Sequence, residues 1–80
     1  MLHEVPLSTV IAANVIDAFA QVHARGVLHG DIRPDNILVR KDASVCIVDF
    51  EMATMDVEME KLEAEMSEVK GLLASLKRKG

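Results

Sequence analysis

Apolar residues open this chain at helical spacing. Ile11, Val15, Phe19 and Val22 follow one another at steps of four and three, and Ala12, Ile16 and Ala20 widen the stripe. That period predicts a helix over 8–25 with a broad buried face. Ser8 or Thr9 can accept from the unpaired N–H groups of its first turn, with Pro6 just outside. Gly26, following Arg25, is the kind of residue at which a helix stops. Beyond it the period changes. Val27–Leu28 is a short extended piece, and a loop over 29–36 follows, in which Pro34 holds Arg33 away from the helical region. Two apolar runs rich in β-branched residues, Ile37–Arg40 and Val45–Phe50, flank Lys41-Asp42-Ala43-Ser44 and predict a β-hairpin over 37–50. Neither run alternates cleanly, so both faces of the hairpin want cover. The first helix can supply only one.

From Met52 the texture shifts to Glu, Lys, Met and Leu. Met52, Met55, Met59, Leu62, Met66, Val69, Leu73 and Leu76 alternate steps of three and four, the seam of an amphipathic helix over 53–80. Two expectations follow. The helix packs back on the hairpin, or it joins a second copy or a protein partner through Met59, Leu62, Met66, Val69, Leu73 and Leu76. In a parallel pair Glu58 would face Glu63 and only Glu65 with Lys70 would attract, so the edges specify a dimer poorly. Gly71 costs about 1 kcal/mol within the helix. The basic end, Lys77 to Lys79, reads as helix-end charge and a solvated tail.

Composition narrows the classes. Eighty residues make one small domain of modest stability. The single cysteine, Cys46, cannot form an internal disulfide and reads as a small hydrophobe in an apolar strand. A net charge of −4 and only two aromatics, Phe19 and Phe50, argue against nucleic-acid binding. Asn14, Asp17, His23 and Arg25 interrupt the best candidate for a membrane span, and the N-terminus lacks a signal-peptide pattern. The expected location is the cytoplasm.

The chemistry sits in the middle of the chain. A hairpin turn centred between Asp42 and Ala43 would set Val39 opposite Cys46, Ile37 opposite Val48 and Asn36 opposite Asp49. Directly opposed residues lie about 5 Å apart at Cβ, close enough for an amide and a carboxylate to share one magnesium ion. Asp31, five residues before Asn36, could accept the proton of an attacking hydroxyl. Arg33 would point a positive charge at a transferring phosphoryl group.

The stretch VHARGVLHGDIRPDNILV, followed by VDFE, resembles the catalytic loop and metal-binding hairpin of the protein-kinase-like superfamily. It is similar to the pattern H-x-x-G-hydrophobic-x-H-R-D-hydrophobic-K-P-x-N. The resemblance implies an α+β partial kinase C-lobe over 1–52, with Asp31 as catalytic base, Asn36 and Asp49 as metal ligands, and Arg33 in place of the usual lysine. His23, His29 and Phe50 match structural positions. Gly30 replaces the arginine that receives an activation-loop phosphate, and Glu51 replaces the glycine of D-F-G. H-G-D and D-F-E resemble the aminoglycoside and choline phosphotransferase branch, D-I-R-P-D-N resembles protein kinases, and the mixture is similar to small fungal kinase-like proteins.

Mg²⁺ and ATP are the implied cofactors, and phosphoryl transfer to a hydroxyl the implied reaction. The sequence shows no glycine-rich loop, no strand lysine with a helix glutamate and no A-P-E. The expectation is therefore a truncated or degenerate phosphotransferase, inactive or very weak alone, with weak or absent nucleotide binding. The alternative is a helix-mediated interaction module with no catalytic role.

Overall fold

The computed structural model describes Leu2 and residues 6–79, without the side chains of 77–79, so the expected solvation of those basic side chains lies outside what is described. The chain is an α+β unit: helix α1 (Thr9–Ala24), a 3₁₀ turn (Pro34–Asn36), strands β1 (Ile37–Val39) and β2 (Val45–Ile47), and helix α2 (Met59–Lys79).

Local signals set both ends of α1. Ser8 is the N-cap, its Oγ accepting from Ile11 N at 3.1 Å. At the other end Gly26 takes φ +76°, and the N–H groups of Gly26 and Val27 return to the carbonyls of His23 and Val22. That double return is a Schellman motif, which needs a residue at ease with positive φ. The apolar stripe between these caps buries Val15 and Phe19 completely, with Ile11, Ala12 and Ile16 packed at the margin.

The hairpin pairs one residue out of the expected register. Ile37 opposes Ile47, Leu38 opposes Cys46 and Val39 opposes Val45. The cause is the turn. Arg40 O accepts from Ala43 N and Arg40 N donates to Ser44 O, both at 2.9 Å, closing a three-residue loop centred on Asp42. Ala43 completes it with φ +69°, the left-handed residue that such loops require. Asp42 Oδ1 accepts from Ser44 N at 3.0 Å, and Asn14 Nδ2 of α1 donates to Ala43 O at 2.8 Å. Asn36 therefore stands opposite Val48, whose N–H it receives at 2.9 Å, and not opposite Asp49.

Helix α2 begins at Met59, so 53–58 are not helical. Instead Thr54 forms a two-way bridge with Leu28, at 2.8 and 2.9 Å, which lays the segment after Phe50 beside the loop before Asp31. Met52, Met55 and Met59 are exposed. The rest of the α2 stripe turns inward. Val69 and Leu73 join Leu2, Val15, Phe19 and Ile37 in one buried core, with Met66, Leu72 and Leu76 against it. Helix α2 packs chiefly on α1 and not on the hairpin, of which Ile37 alone joins the buried cluster with Val69 and Leu73.

Candidate functional site

The loop from His29 to Asn36 leaves the core at a fully buried histidine and returns to it at a nearly buried asparagine. Its first three backbone N–H groups each have a partner. His29 N donates to Glu65 Oε1 at 2.9 Å, Gly30 N to Glu65 Oε2 at 2.8 Å, and Asp31 N to His29 Nδ1 at 3.2 Å. Because His29 Nδ1 accepts, its proton sits on Nε2, which faces Val48 O at 2.8 Å. One imidazole thus ties the loop to the strand end just before Asp49. Its ring packs edge-on against Phe19 and Phe50, at 6.1 and 4.8 Å between centroids. The expected structural role for His29 and Phe50 has this geometry behind it.

Asp31 is held by its own loop. Arg33 Nε donates to Asp31 Oδ1 at 2.8 Å and Nη2 to Oδ2 at 3.2 Å. Asn36 Nδ2 donates to Asp31 O at 2.9 Å and to Oδ2 at 3.2 Å. The Arg33 guanidinium is the largest influence and, with help from the Asn36 amide, holds the Asp31 carboxyl below its ordinary value against an opposing effect of burial that exceeds the amide's own. Asp31 in turn pushes Arg33 up. The site therefore presents an ionised carboxylate in a fixed orientation, with its guanidinium partner largely in solvent.

Asn36 spends its amide nitrogen on Asp31, which leaves Oδ1 as the atom that can serve a cation. Asp49 is exposed and takes φ +62°, so the chain turns out of the strand direction as it reaches this residue. The structure thus brings Asp31, Arg33 and Asn36 together in one hydrogen-bonded group. It places Asp49 past the last paired residue, close enough for its charge to act on Arg33. Among the described residues no cluster of three or more His, Cys, Asp or Glu side chains stands ready for a metal.

Gly30 has two reasons to be glycine. Its φ is +88°, and a Cβ there would lie 2.5 Å from Met52 O. The segment after Phe50 passes too close to admit an arginine at this place.

Glu65 is the residue the sequence pattern misplaced. At a heptad edge of a parallel pair it would meet Lys70 of a second copy; in the structure it is only 4% exposed. Its Oε1 also meets His23 Nε2 at 2.8 Å, so three donors converge on one carboxylate. Burial pushes its pKa up, but the Gly30 N–H, the His23 ring and the His29 N–H outweigh that and leave it below the ordinary value. The signal was present in the spacing: Glu65, Val69 and Leu73 stand at steps of four, one line along a helix. A broad groove of roughly 630 Å³ between α1 and β2, floored by Val22, Val45, Ile47 and Phe50, contains none of the four expected site residues. No helix among the described residues is long and apolar enough to cross a membrane.

Known proteins share this pattern. Over 42 residues the chain is 48% identical to the serine/threonine-protein kinase PDK1 of Cryptococcus neoformans var. grubii, covering 52% of this chain and 3% of that protein. It is 47% identical over 32 residues to the serine/threonine-protein kinase ppk34 of Schizosaccharomyces pombe, 40% of this chain and 9% of that one. It is 36% identical over 47 residues to AtPK1/AtPK6 of Arabidopsis thaliana, 59% of this chain and 10% of that one. The chain thus spans a tenth or less of the length of these relatives. No solved structure matches. The protein kinase domain model matches residues 3–71, which takes in α1, the loop, the hairpin and the first part of α2, and the chain belongs to the protein kinase domain family.

Proposed function

We propose that Asp31, Arg33, Asn36 and Asp49 form a phosphoryl-transfer centre that uses Mg²⁺ and ATP, acts on a serine or threonine hydroxyl, and is weak in this chain by itself. The observation that carries the reading is the Asp31–Arg33–Asn36 group, which holds an ionised carboxylate beside an exposed guanidinium. The carboxylate is placed to accept a hydroxyl proton as the oxygen attacks. Arg33 makes an exposed pair with it, of the kind readily exchanged for the denser charge of a phosphate. The relatives' description as serine/threonine kinases supports the acceptor class.

The donor set fits a hard cation. An amide oxygen and a carboxylate oxygen are what a magnesium-type ion takes, with water or phosphate oxygens completing its shell. Asn36 and Asp49 would hold it, and when bound it would neutralise charge on the phosphate oxygens. Weakness follows from Asp49, which stands in solvent with backbone curvature, not packing, to direct it.

Calorimetric titration with Mg²⁺–ATP should show weak binding that Asp49→Ala removes; binding that survives the change puts the nucleotide elsewhere. With labelled ATP and a serine-containing peptide, turnover should exceed that of Asp31→Asn. Equal rates for the two proteins would end the catalytic part of the reading.

A further inference from the structure

We infer that the outer edge of β2, where it borders the groove beside α1, is a docking site for an extended segment of a partner protein, which joins the hairpin as an antiparallel third strand. The hairpin's own hydrogen bonds show which groups remain for it. Arg40 N bonds to Ser44 O, and Val48 N bonds to Asn36 O. Bonded pairs alternate along an antiparallel ladder, so Leu38 and Cys46 form the bonded pair between them. Val45 and Ile47 therefore turn their N–H and C=O groups away from β1. Among the described residues no backbone group meets them there, and only the Cys46 thiol approaches Ile47 O, at 3.9 Å.

The groove follows the course of a strand. Its β2 wall is Ser44, Val45, Cys46 and Ile47 in succession. Side chains alternate between the faces of a sheet, so a hollow that touches consecutive residues runs along the edge and not over one face. β2 also lacks the lysine or proline that commonly blunts an exposed edge. The walls specify the occupant. Val22, Val45 and Ile47 call for apolar side chains at alternate positions. Asp17 and Arg25, joined through Gln21 by steps of four along α1, set opposite charges at the two ends of the groove. Asn14, bonded to Ala43 O, fixes the Asp17 end beside the hairpin turn. An antiparallel strand thus carries an acid near its N-terminus, against Arg25, and a base near its C-terminus, against Asp17. A second copy fits poorly, because α1 borders this edge and edge-to-edge pairing would bring two copies of α1 into the same space. None of the four residues of the proposed transfer centre lines the groove, so the inference stands apart from that centre.

The test is amide hydrogen exchange on the whole chain, with the capped synthetic peptide Glu-Val-Thr-Val-Thr-Val-Lys as probe. Binding should slow exchange about tenfold at Val45 and Ile47, and much less at Cys46, whose N–H already faces Leu38. Side-chain contact alone does not produce that alternation. Methylating alternate backbone nitrogens of the peptide keeps its side chains but removes the donors that face β2, and should weaken binding about tenfold. Asp17→Lys, at an exposed position, should weaken it by about two- to fivefold, and a peptide ending in Glu should recover the loss. Unchanged exchange at Val45 and Ile47 with peptide up to about 1 mM, or equal binding of the methylated peptide, would overturn the proposal. Protection at Val45 and Ile47 that grows with protein concentration, without peptide, would assign the edge to a second copy and overturn it as well. Should Asp17→Lys fail to fold, the two peptides on the unaltered chain decide.

Discussion

The two ends of the candidate site are built in different ways. At the Asp31 end, side chains from α1, the loop and α2 converge: Phe19 lies under His29, Glu65 holds two backbone N–H groups, and Asn36 reaches back to Asp31. At the Asp49 end, an exposed acid sits at positive φ, followed by exposed Met52 and Met55. The contrast teaches where preorganisation resides in this chain. A carboxylate aimed by buried, fully paired groups loses little freedom when it acts, while one aimed by backbone curvature must be ordered by whatever it binds.

The contrast can be broken from the core outward. Phe19→Ala removes the ring beneath both histidines, 6.3 Å from His23 and 6.1 Å from His29. It should cost about 3–5 kcal/mol, a large share of the roughly 5–15 kcal/mol of a typical domain. Urea denaturation measures it, and a loss below about 1 kcal/mol would mean that the loop does not rest on this core.

Gly30→Ala comes next. Its Cβ would meet Met52 O at 2.5 Å in a backbone conformation that alanine avoids. A loss of about 2–4 kcal/mol is expected from strain and overpacking together. A thermal midpoint close to that of the unaltered chain would show that the 50–54 segment swings aside at little cost.

Acid should act on the ordered end first. The Glu65 pKa is lowered in the folded chain from an ordinary value of 4.5, so its contribution is complete above that pH. It fades as pH falls through the lower folded value, because the unfolded chain then binds the proton more tightly. Circular dichroism against pH should show stability declining below about pH 4.5, and Glu65→Gln should flatten that decline. A slope unchanged in the variant would assign acid sensitivity to other carboxylates. The smallest effect belongs to the open end: Asp49→Ala should change stability by no more than about 0.5 kcal/mol. A larger loss would reveal an ordering role at that end and narrow the difference between the two.

Legibility followed the range of the interactions. Both caps of α1 were readable because Ser8 and Gly26 act on residues within a turn of themselves. Asp31, Arg33 and Asn36 could be named together because they share one short loop, whereas their bonds to one another, within six positions, came only with the fold. The hairpin was readable as a hairpin, but its register turned on whether Ala43 accepts a left-handed conformation. Lys41-Asp42-Ala43-Ser44 carries neither the glycine nor the asparagine that announces one. Asn14 of α1, bonded to Ala43 O, fastens that turn from a distance. The start of α2 was overrun for a related reason. Met52 and Met55 fit the helical seam by spacing, yet the pairing of Thr54 with Leu28 holds that stretch extended.

The sequence by itself determined an α+β chain with one capped helix, a hairpin and an amphipathic helix, because each depends on periodicity or on neighbours a few residues apart, while the kinase-type loop was legible through its resemblance to a family pattern. Only the tertiary structure decided that Asn36 meets Val48, that Gly30 lies against Met52, and that Glu65 is a buried clamp and not an edge charge. Those outcomes turn on which backbone donors and acceptors remain unpaired once the core has formed. A buried N–H takes the acceptor that packing brings to it, and packing is a property of the whole chain.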